Sequence, residues 1–287
     1  MRFVSFETAG RASYGVVSSD GIIDLGSKLG REYPTLIDVI RGGETALQKA
    51  RDAAKGAPEH KLSEISFTPP VPGAEKIVCV GINYPARAAE YADDREKPKY
   101  PNLFVRFPNS IVGHDHPILR PTVSEQFDYE GEIIIVMGKE GRNIAREDAL
   151  DHVFGLTLGN EGSVRDWLRH GTLNVTQGKN FDKSGSMGPV VVTSDELNPG
   201  ADLRLMTRVN GELRQDDTTG RLTWDFAELI RYISMFATLK PGDLIFTGTP
   251  VGAGGHQTPK KWLVPGDVVE VEVAEIGILR NRVEDDN

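Results

Sequence analysis

A single cysteine, Cys79, stands among the 287 residues, so the chain forms no internal disulfide. That scarcity fits a reducing compartment. The opening residues, Met1 to Val4, pass straight into strand-like sequence without a signal-peptide pattern, and the expectation is a cytoplasmic protein. Long hydrophobic runs are also missing, which excludes a membrane-spanning helix. Positive charge is in deficit, because 33 Lys and Arg against 42 Asp and Glu leave a net charge of -9. Nucleic acid is therefore not an expected partner, since phosphate binding needs clustered cations. Nothing repeats at solenoid spacing, and there is no low-complexity tract.

What is present is ordinary globular composition, 39% hydrophobic and 26% charged, on a chain long enough for a sizeable core. Residues 1–66 read as a small N-terminal module. Its strands are expected at Arg2 to Phe6, Tyr14 to Val17 and Ile22 to Leu25, with Asp20 and Gly21 as a hairpin turn. Helices are expected at Thr35 to Arg41 and Glu44 to Ala54. The proline-rich stretch 67–75 reads as a linker, and 76–287 as the larger domain. There, Lys76 to Gly81 reads as a strand, and Cys79 within it as a small core residue rather than a nucleophile. Ala145 to Val153 and Asp225 to Ala237 carry helical patterns. Pro241-Gly242-Asp243 and Pro265-Gly266-Asp267 each precede an apolar run and suggest hairpin turns. The charged segment Asp93 to Lys99 could cover a pocket.

Chemistry enters at Phe127-Asp128-Tyr129-Glu130-Gly131-Glu132, which leads into the apolar run Ile133 to Met137. Such a run reads as a strand buried on both faces. Alternation then points Glu130 and Glu132 the same way, two carboxylates that resist desolvation unless a hard cation sits between them. Taken alone, the pair reads more readily as a solvated strand end with two surface glutamates. The similarly spaced Glu270 and Glu272 lie in clean alternation with valine and read as a wet face. His114 and His116 have metal-clip spacing, but no second cluster supports them. His152 and His170 read as structural or exposed.

Several stretches together resemble the fumarylacetoacetate hydrolase superfamily. They are Gly81-Ile82-Asn83-Tyr84, Asp128-Tyr129-Glu130-Gly131-Glu132, Gly159-Asn160-Glu161-Gly162-Ser163-Val164-Arg165-Asp166, Gly178-Lys179-Asn180-Phe181-Asp182, Val209-Asn210-Gly211-Glu212 and Thr247-Gly248-Thr249-Pro250. They fall in family order across roughly residues 76–283. The resemblance implies an α+β, mostly β, mixed β-sandwich roll behind a small N-terminal α/β module, usually as a homodimer. It also implies Mg²⁺ or Mn²⁺ and a short 2-oxo acid substrate. Glu130, Glu132 and Glu161 take the metal-ligand positions, with Glu161 where the family usually has aspartate. Lys179 matches the lysine that faces a developing oxyanion. Arg165 matches an arginine that fixes a substrate carboxylate or braces the glutamates, and Gly248 and Thr249 match a carboxylate-binding turn. Tyr84 belongs to the substrate-binding lid segment.

One departure bears on the reaction. Family members often read Asn-Tyr-x-x-His-x-x-Glu, and here Arg87 replaces the histidine while Glu90 remains. Arginine stays protonated and cannot act as a base. His256, in the loop beyond Thr249, is the substitute by position, with Glu90 acting directly as the other candidate. The leading expectation is a metal-dependent hydrolase cleaving a carbon–carbon bond of an acylpyruvate-like acid. The alternative is an isomerase, decarboxylase or hydratase of a 2-oxo or 2-hydroxydienoic acid, favoured if Arg87 supplies a cation for a dicarboxylate. A third reading keeps the fold as a binding protein only, and the intact Glu130, Glu132, Lys179 and Arg165 argue against it.

Overall fold

A computed structural model describes residues 1–90, 99–172 and 174–286. Short strands dominate because apolar runs are short and Gly or Pro closes most of them. In chain order they are β1 (Arg2–Thr8), β2 (Arg11–Ser18), β3 (Gly21–Asp24), β4 (Ser66–Phe67), β5 (Ile77–Val80) and β6 (Leu103–Val105). Next come β7 (Ile111–Val112), β8 (Ile118–Arg120), β9 (Phe127–Asp128), β10 (Gly131–Met137), β11 (Val153–Asn160) and β12 (Ser163–Val164). The last are β13 (Gly185–Thr193), β14 (Arg204–Val209), β15 (Glu212–Thr218), β16 (Leu244–Phe246), β17 (Val268–Val273) and β18 (Gly277–Asp285). The helices are α1 (Leu25–Leu29), α2 (Leu36–Arg41), α3 (Gly43–Ala53), α4 (Pro85–Ala89), α5 (Thr176–Lys179) and α6 (Phe226–Phe236).

One large sheet runs β3-β2-β1-β13-β11-β10-β16-β5-β6, with β4 on β1 and β7 on β13. A second runs β15-β14-β17-β18-β8, and β9 pairs with β12. This is the mostly β, mixed α+β architecture expected. The N-terminal residues share the large sheet, since β1 pairs antiparallel with β13 through Arg2 opposite Val192 and Phe3 opposite Val191.

Strand β10 is buried along its whole length. Its odd-numbered residues Ile133, Ile135 and Met137 enter one core cluster, and Ile134 and Val136 enter another. A continuous apolar run therefore serves both faces of the sheet. In β17 Val269, Val271 and Val273 are buried and Glu270 and Glu272 are half-exposed, the wet face expected, with Glu272 paired to Arg208. Helix α6 buries Phe226, Leu229, Ile230 and Ile233, and the Asp225 carboxylate caps it by accepting from Glu228 N at 2.9 Å. Burying each such side chain contributes ~1.5–3 kcal/mol.

Some local expectations shift. The β2–β3 loop is Ser19 and Asp20, because Gly21 already pairs with Ser18. α1, capped by Asp24, is too short for a periodic signal. Arg146–His152 is a 3₁₀ helix rather than an α-helix, with only Ala149 buried on it, too little to hold an α-helical face. The Pro-Gly-Asp turns do precede strands, but neither closes a hairpin. β16 arrives from α6 to lie between β10 and β5, while β17 forms its hairpin with the later β18. The pocket-covering role expected of Asp93 to Lys99 falls on residues 93–98, which lie outside the described residues. Among the described residues, no helix is long and apolar enough to cross a membrane.

Candidate metal centre and active site

The β10–β11 register assembles the acidic site. Gly131 pairs with Asn160 and Glu132 with Gly159, which sets Glu130 across from Glu161. Two bonds fasten that crossing, Glu161 N to Glu130 O at 2.7 Å and Glu130 N to the Asn160 Oδ1 at 3.0 Å. The residue between the two glutamates must be glycine, because a Cβ on Gly131 would lie 2.0 Å from the Thr207 Oγ1. One carboxylate oxygen from each of Glu130, Glu132 and Glu161 falls within 4.8 Å of the others. All three residues are buried, at 4%, 1% and 2% exposure.

Their electrostatics differ. Burial opposes ionisation of Glu130, but Arg165, Lys179 and Arg87 hold its carboxyl well below the usual range. Arg87 Nη2 and Arg165 Nη2 reach its Oε1 at 2.7 and 2.8 Å, and Lys179 Nζ and Ser163 Oγ donate to its Oε2. Among the described residues Glu132 makes no ion pair, and the Lys179 charge only partly offsets its burial. Burial, with Glu161 and Glu130 beside it, pushes its carboxyl well up, opposed by a bond from Gly248 N at 2.7 Å. Among the described residues Glu161 pairs with one cation, Lys179 Nζ at 2.9 Å, and its buried Oε1 lacks a hydrogen-bond partner. An orphaned buried carboxylate oxygen beside a second under-compensated carboxylate fits a hard divalent cation. Glu130, Glu132 and Glu161 would hold it.

Lys179, at the end of α5, is 5% exposed and lies against the Phe104 ring. Burial would lower its pKa, but Glu130 and Glu161 carry it above the ordinary lysine value, so it remains an ammonium. Two of its three N–H groups serve the glutamates, leaving one for a ligand. Arg87 is 1% exposed and pairs with Glu90 and Glu130. Glu90 is further bound by Gly252 N at 2.9 Å. Tyr84 is buried at 1% exposure. Gly248 turns its N–H to Glu132, while the Thr249 hydroxyl donates to Gly131 O at 2.9 Å and accepts from Gln215. In this state the turn braces the acidic strand.

A cavity of about 620 Å³ opens beside the triad, lined by Glu130, Arg165, Lys179, Glu90 and His256, together with Gln126, Phe104, Arg169, Lys260 and Trp262. His256 Nδ1 lies 3.1 Å from the Glu90 carbonyl oxygen. That oxygen only accepts, so Nδ1 carries the proton and Nε2 keeps its lone pair. Burial, then Arg87 and Arg165, lower the pKa of His256 below 6.5. His114 and His116 sit in a turn, bonded to Arg280 N and Ser66. His152 meets the Lys139 carbonyl and His170 packs against Trp167 with its ring tilted by 44°. Among the described residues, the three glutamates are the one acidic or histidine cluster suited to a metal.

Supporting residues escaped attention in the sequence. Asp128 accepts Arg165 Nε at 2.8 Å and the N–H groups of Gly254 and Gly255, tying the His256 loop to the arginine. Asn83 binds the carbonyls of Trp224 and Thr247 at 2.9 and 2.8 Å and fixes the turn before Gly248. Their place in quoted motifs was the available signal, but only the fold supplies their partners.

Fold and site together define a metal-dependent class of enzyme, with a buried glutamate triad consistent with a divalent-metal site. The chain belongs to the fumarylacetoacetate hydrolase family, whose C-terminal domain model matches residues 76–284. It is 38% identical over 290 residues to the mitochondrial oxaloacetate tautomerase fahd2 of Xenopus laevis, covering 99% of this chain and 90% of that protein. It is 35% identical over 302 residues to the oxaloacetate tautomerase YisK of Bacillus subtilis (strain 168), covering 99% and 100%. The maleylpyruvate hydrolase of Sphingobium sp. SYK-6, solved with manganese(II) and pyruvate, superposes with a TM-score of 0.83 at 28% identity, covering both chains fully.

Proposed function

We propose that this enzyme is a divalent-metal-dependent isomerase that interconverts the keto and enol forms of a short 2-oxo dicarboxylic acid, with oxaloacetate as the reference substrate. This takes up the isomerase alternative in preference to acylpyruvate hydrolysis. The observation that carries it is the engagement of Glu90. One of its oxygens pairs with Arg87 and the other accepts from Gly252 N, while His256 meets its backbone carbonyl, so the Glu90 carboxylate is held by an arginine where the family's water-activating dyad has a histidine. Both named tautomerases, similar along nearly the whole chain, support the same reading.

Tautomerisation needs less than hydrolysis. A base removes a proton from C3, and the C–H electron pair becomes the C2–C3 double bond. The carbonyl pair moves onto the 2-oxygen, which then takes a proton. The His256 Nε2 is a neutral base at the cavity wall. The Lys179 ammonium has one N–H left to meet the charge growing on the oxygen. Arg165, braced by Asp128, faces the cavity to orient a carboxylate. Mg²⁺ or Mn²⁺ bound to the triad would act as a Lewis acid toward a 2-oxo acid. Manganese in the similar hydrolase structure is consistent with either ion. A homodimer completes the proposal, to be checked by light scattering.

The test mixes enol-enriched oxaloacetate with Mg²⁺-loaded enzyme and follows the enol absorbance, while pyruvate release and acetylpyruvate cleavage are measured in parallel. Accelerated interconversion without carbon–carbon cleavage is expected. Efficient acetylpyruvate cleavage, with oxaloacetate interconverting only at its spontaneous rate, would restore the hydrolase reading.

A further inference from the structure

We infer that Arg169 and Lys260 form an anion subsite at the rim of the cavity, which takes the distal carboxylate of a dicarboxylic 2-oxo acid. The inference rests on the proposed substrate class and assigns its recognition to residues outside the reacting centre.

The observation is a charge imbalance inside one cavity. Among its lining cations, Arg165 pairs with Asp128 and Glu130, and Lys179 with Glu130 and Glu161, so both belong to the reacting centre. Arg87, the cation at the family's histidine position, is buried on Glu90 and Glu130 and does not line the cavity. Arg169 and Lys260 also line it, and neither makes an ion pair among the described residues. In a chain of net charge -9, two exposed cations without acidic partners facing one cavity are an asymmetry that a ligand anion would satisfy.

Both are carried on anchored backbone. Arg169 ends the 3₁₀ turn Trp167–Arg169, which Asp166 caps through Trp167 N. Leu168 presses that turn onto α5, its Cδ2 lying 2.5 Å from where a Cβ on Gly178 would stand, so Arg169 moves with the helix that carries Lys179. On the other side, Lys261 N bonds to Gly254 O at 3.0 Å, and Asp128 holds Gly254 and Gly255. Lys260 lies over the Trp262 ring at 5.5 Å, which limits its sweep. One cavity is thus lined by a residue of the acidic triad and by two exposed cations, a combination suited to a 2-oxo acid that carries a second carboxylate.

Exposed ion pairs are weak and screened by salt, so the effect belongs on KM and not on the chemical step. Arg169→Met with Lys260→Met should raise KM for oxaloacetate about tenfold and leave kcat within about twofold. Exchange of the methyl hydrogens of pyruvate, a monocarboxylate, should be unchanged. A second readout needs no turnover. Calorimetric titration of Mg²⁺-loaded wild type should give tighter binding of 2-oxoglutarate than of 2-oxobutyrate, a preference that shrinks with added salt and is lost in the double variant. Equal losses for mono- and dicarboxylates, or a preserved preference in the double variant, would overturn the subsite. Wild type that keeps the binding preference but enolises neither acid would sink the proposed reaction and leave the subsite standing.

Discussion

Replacing Lys179 by methionine tests how the acidic centre is held together without metal. The ammonium is 5% exposed and is the cation that reaches Glu161, at 2.9 Å. Glu130 would keep Arg87 and Arg165, but Glu161 would lose the one cation it pairs with among the described residues, while its Oε1 already lacks a partner. Stranding a buried carboxylate in this way costs about 3–5 kcal/mol. Unfolding entropy of about 2.1 cal/mol/K per residue over 287 residues gives roughly 0.6 kcal/mol/K. The chelator-treated variant should therefore melt about 5–8 °C below wild type. Saturating Mg²⁺ should return most of that loss, because the divalent ion supplies Glu161 with the charge that the ammonium gave. Scanning calorimetry of both proteins, each with and without Mg²⁺, reads the four values. An unchanged melting temperature in the metal-free variant, or equal Mg²⁺ gains in both proteins, would refute Lys179 as the counter-ion of the triad.

Other expectations follow from the same geometry. Glu132→Gln removes a charge that burial and its glutamate neighbours disfavour, so metal-free stability should hold or rise while Mg²⁺ affinity falls about 100-fold or more, read by thermal melts and calorimetry. Gly248→Ala sets a Cβ 2.7 Å from the Asn83 Cβ at a φ of +100°, costing ~2–5 kcal/mol and turning the N–H away from Glu132. A melt as high as wild type would contradict this. His256→Ala should lower kcat by roughly 10²–10⁴-fold with metal affinity intact. Because the base works when neutral and burial with Arg87 and Arg165 lowers its pKa, the acid limb of kcat should lie below pH 6.5 and activity should be flat through pH 7. A limb above 6.5, or the same limb in the alanine variant, would remove His256 from the mechanism.

Much of the centre was legible because it is carried by local pattern. Glu130 and Glu132 flank one glycine at the head of a fully apolar run, and alternation alone points them together. Glu161 and Lys179 came through the motif resemblance, since nothing in their neighbourhoods says that β11 lies beside β10. The pairings that decide function were not legible. Arg87 could be read as a pocket cation because the sequence does not reveal that Glu130 lies within its reach. Thr249 and Gly248 were matched to substrate, and no local signal shows that the fold also brings them to Gly131 and Glu132. The pairing of β1 with β13 joins residues almost two hundred positions apart, which no local signal encodes. Where local pattern was thin, as at Ala145 to Val153 and the two Pro-Gly-Asp turns, the packing partner decided the outcome.

The most direct measurement titrates Mn²⁺ calorimetrically into chelator-stripped protein and into its Glu161→Ala variant. One ion per chain in the wild type, with binding abolished in the variant, is the predicted result. A wild type that takes up no ion, or a variant that binds it as tightly, would contradict the assignment of Glu130, Glu132 and Glu161 as a metal centre.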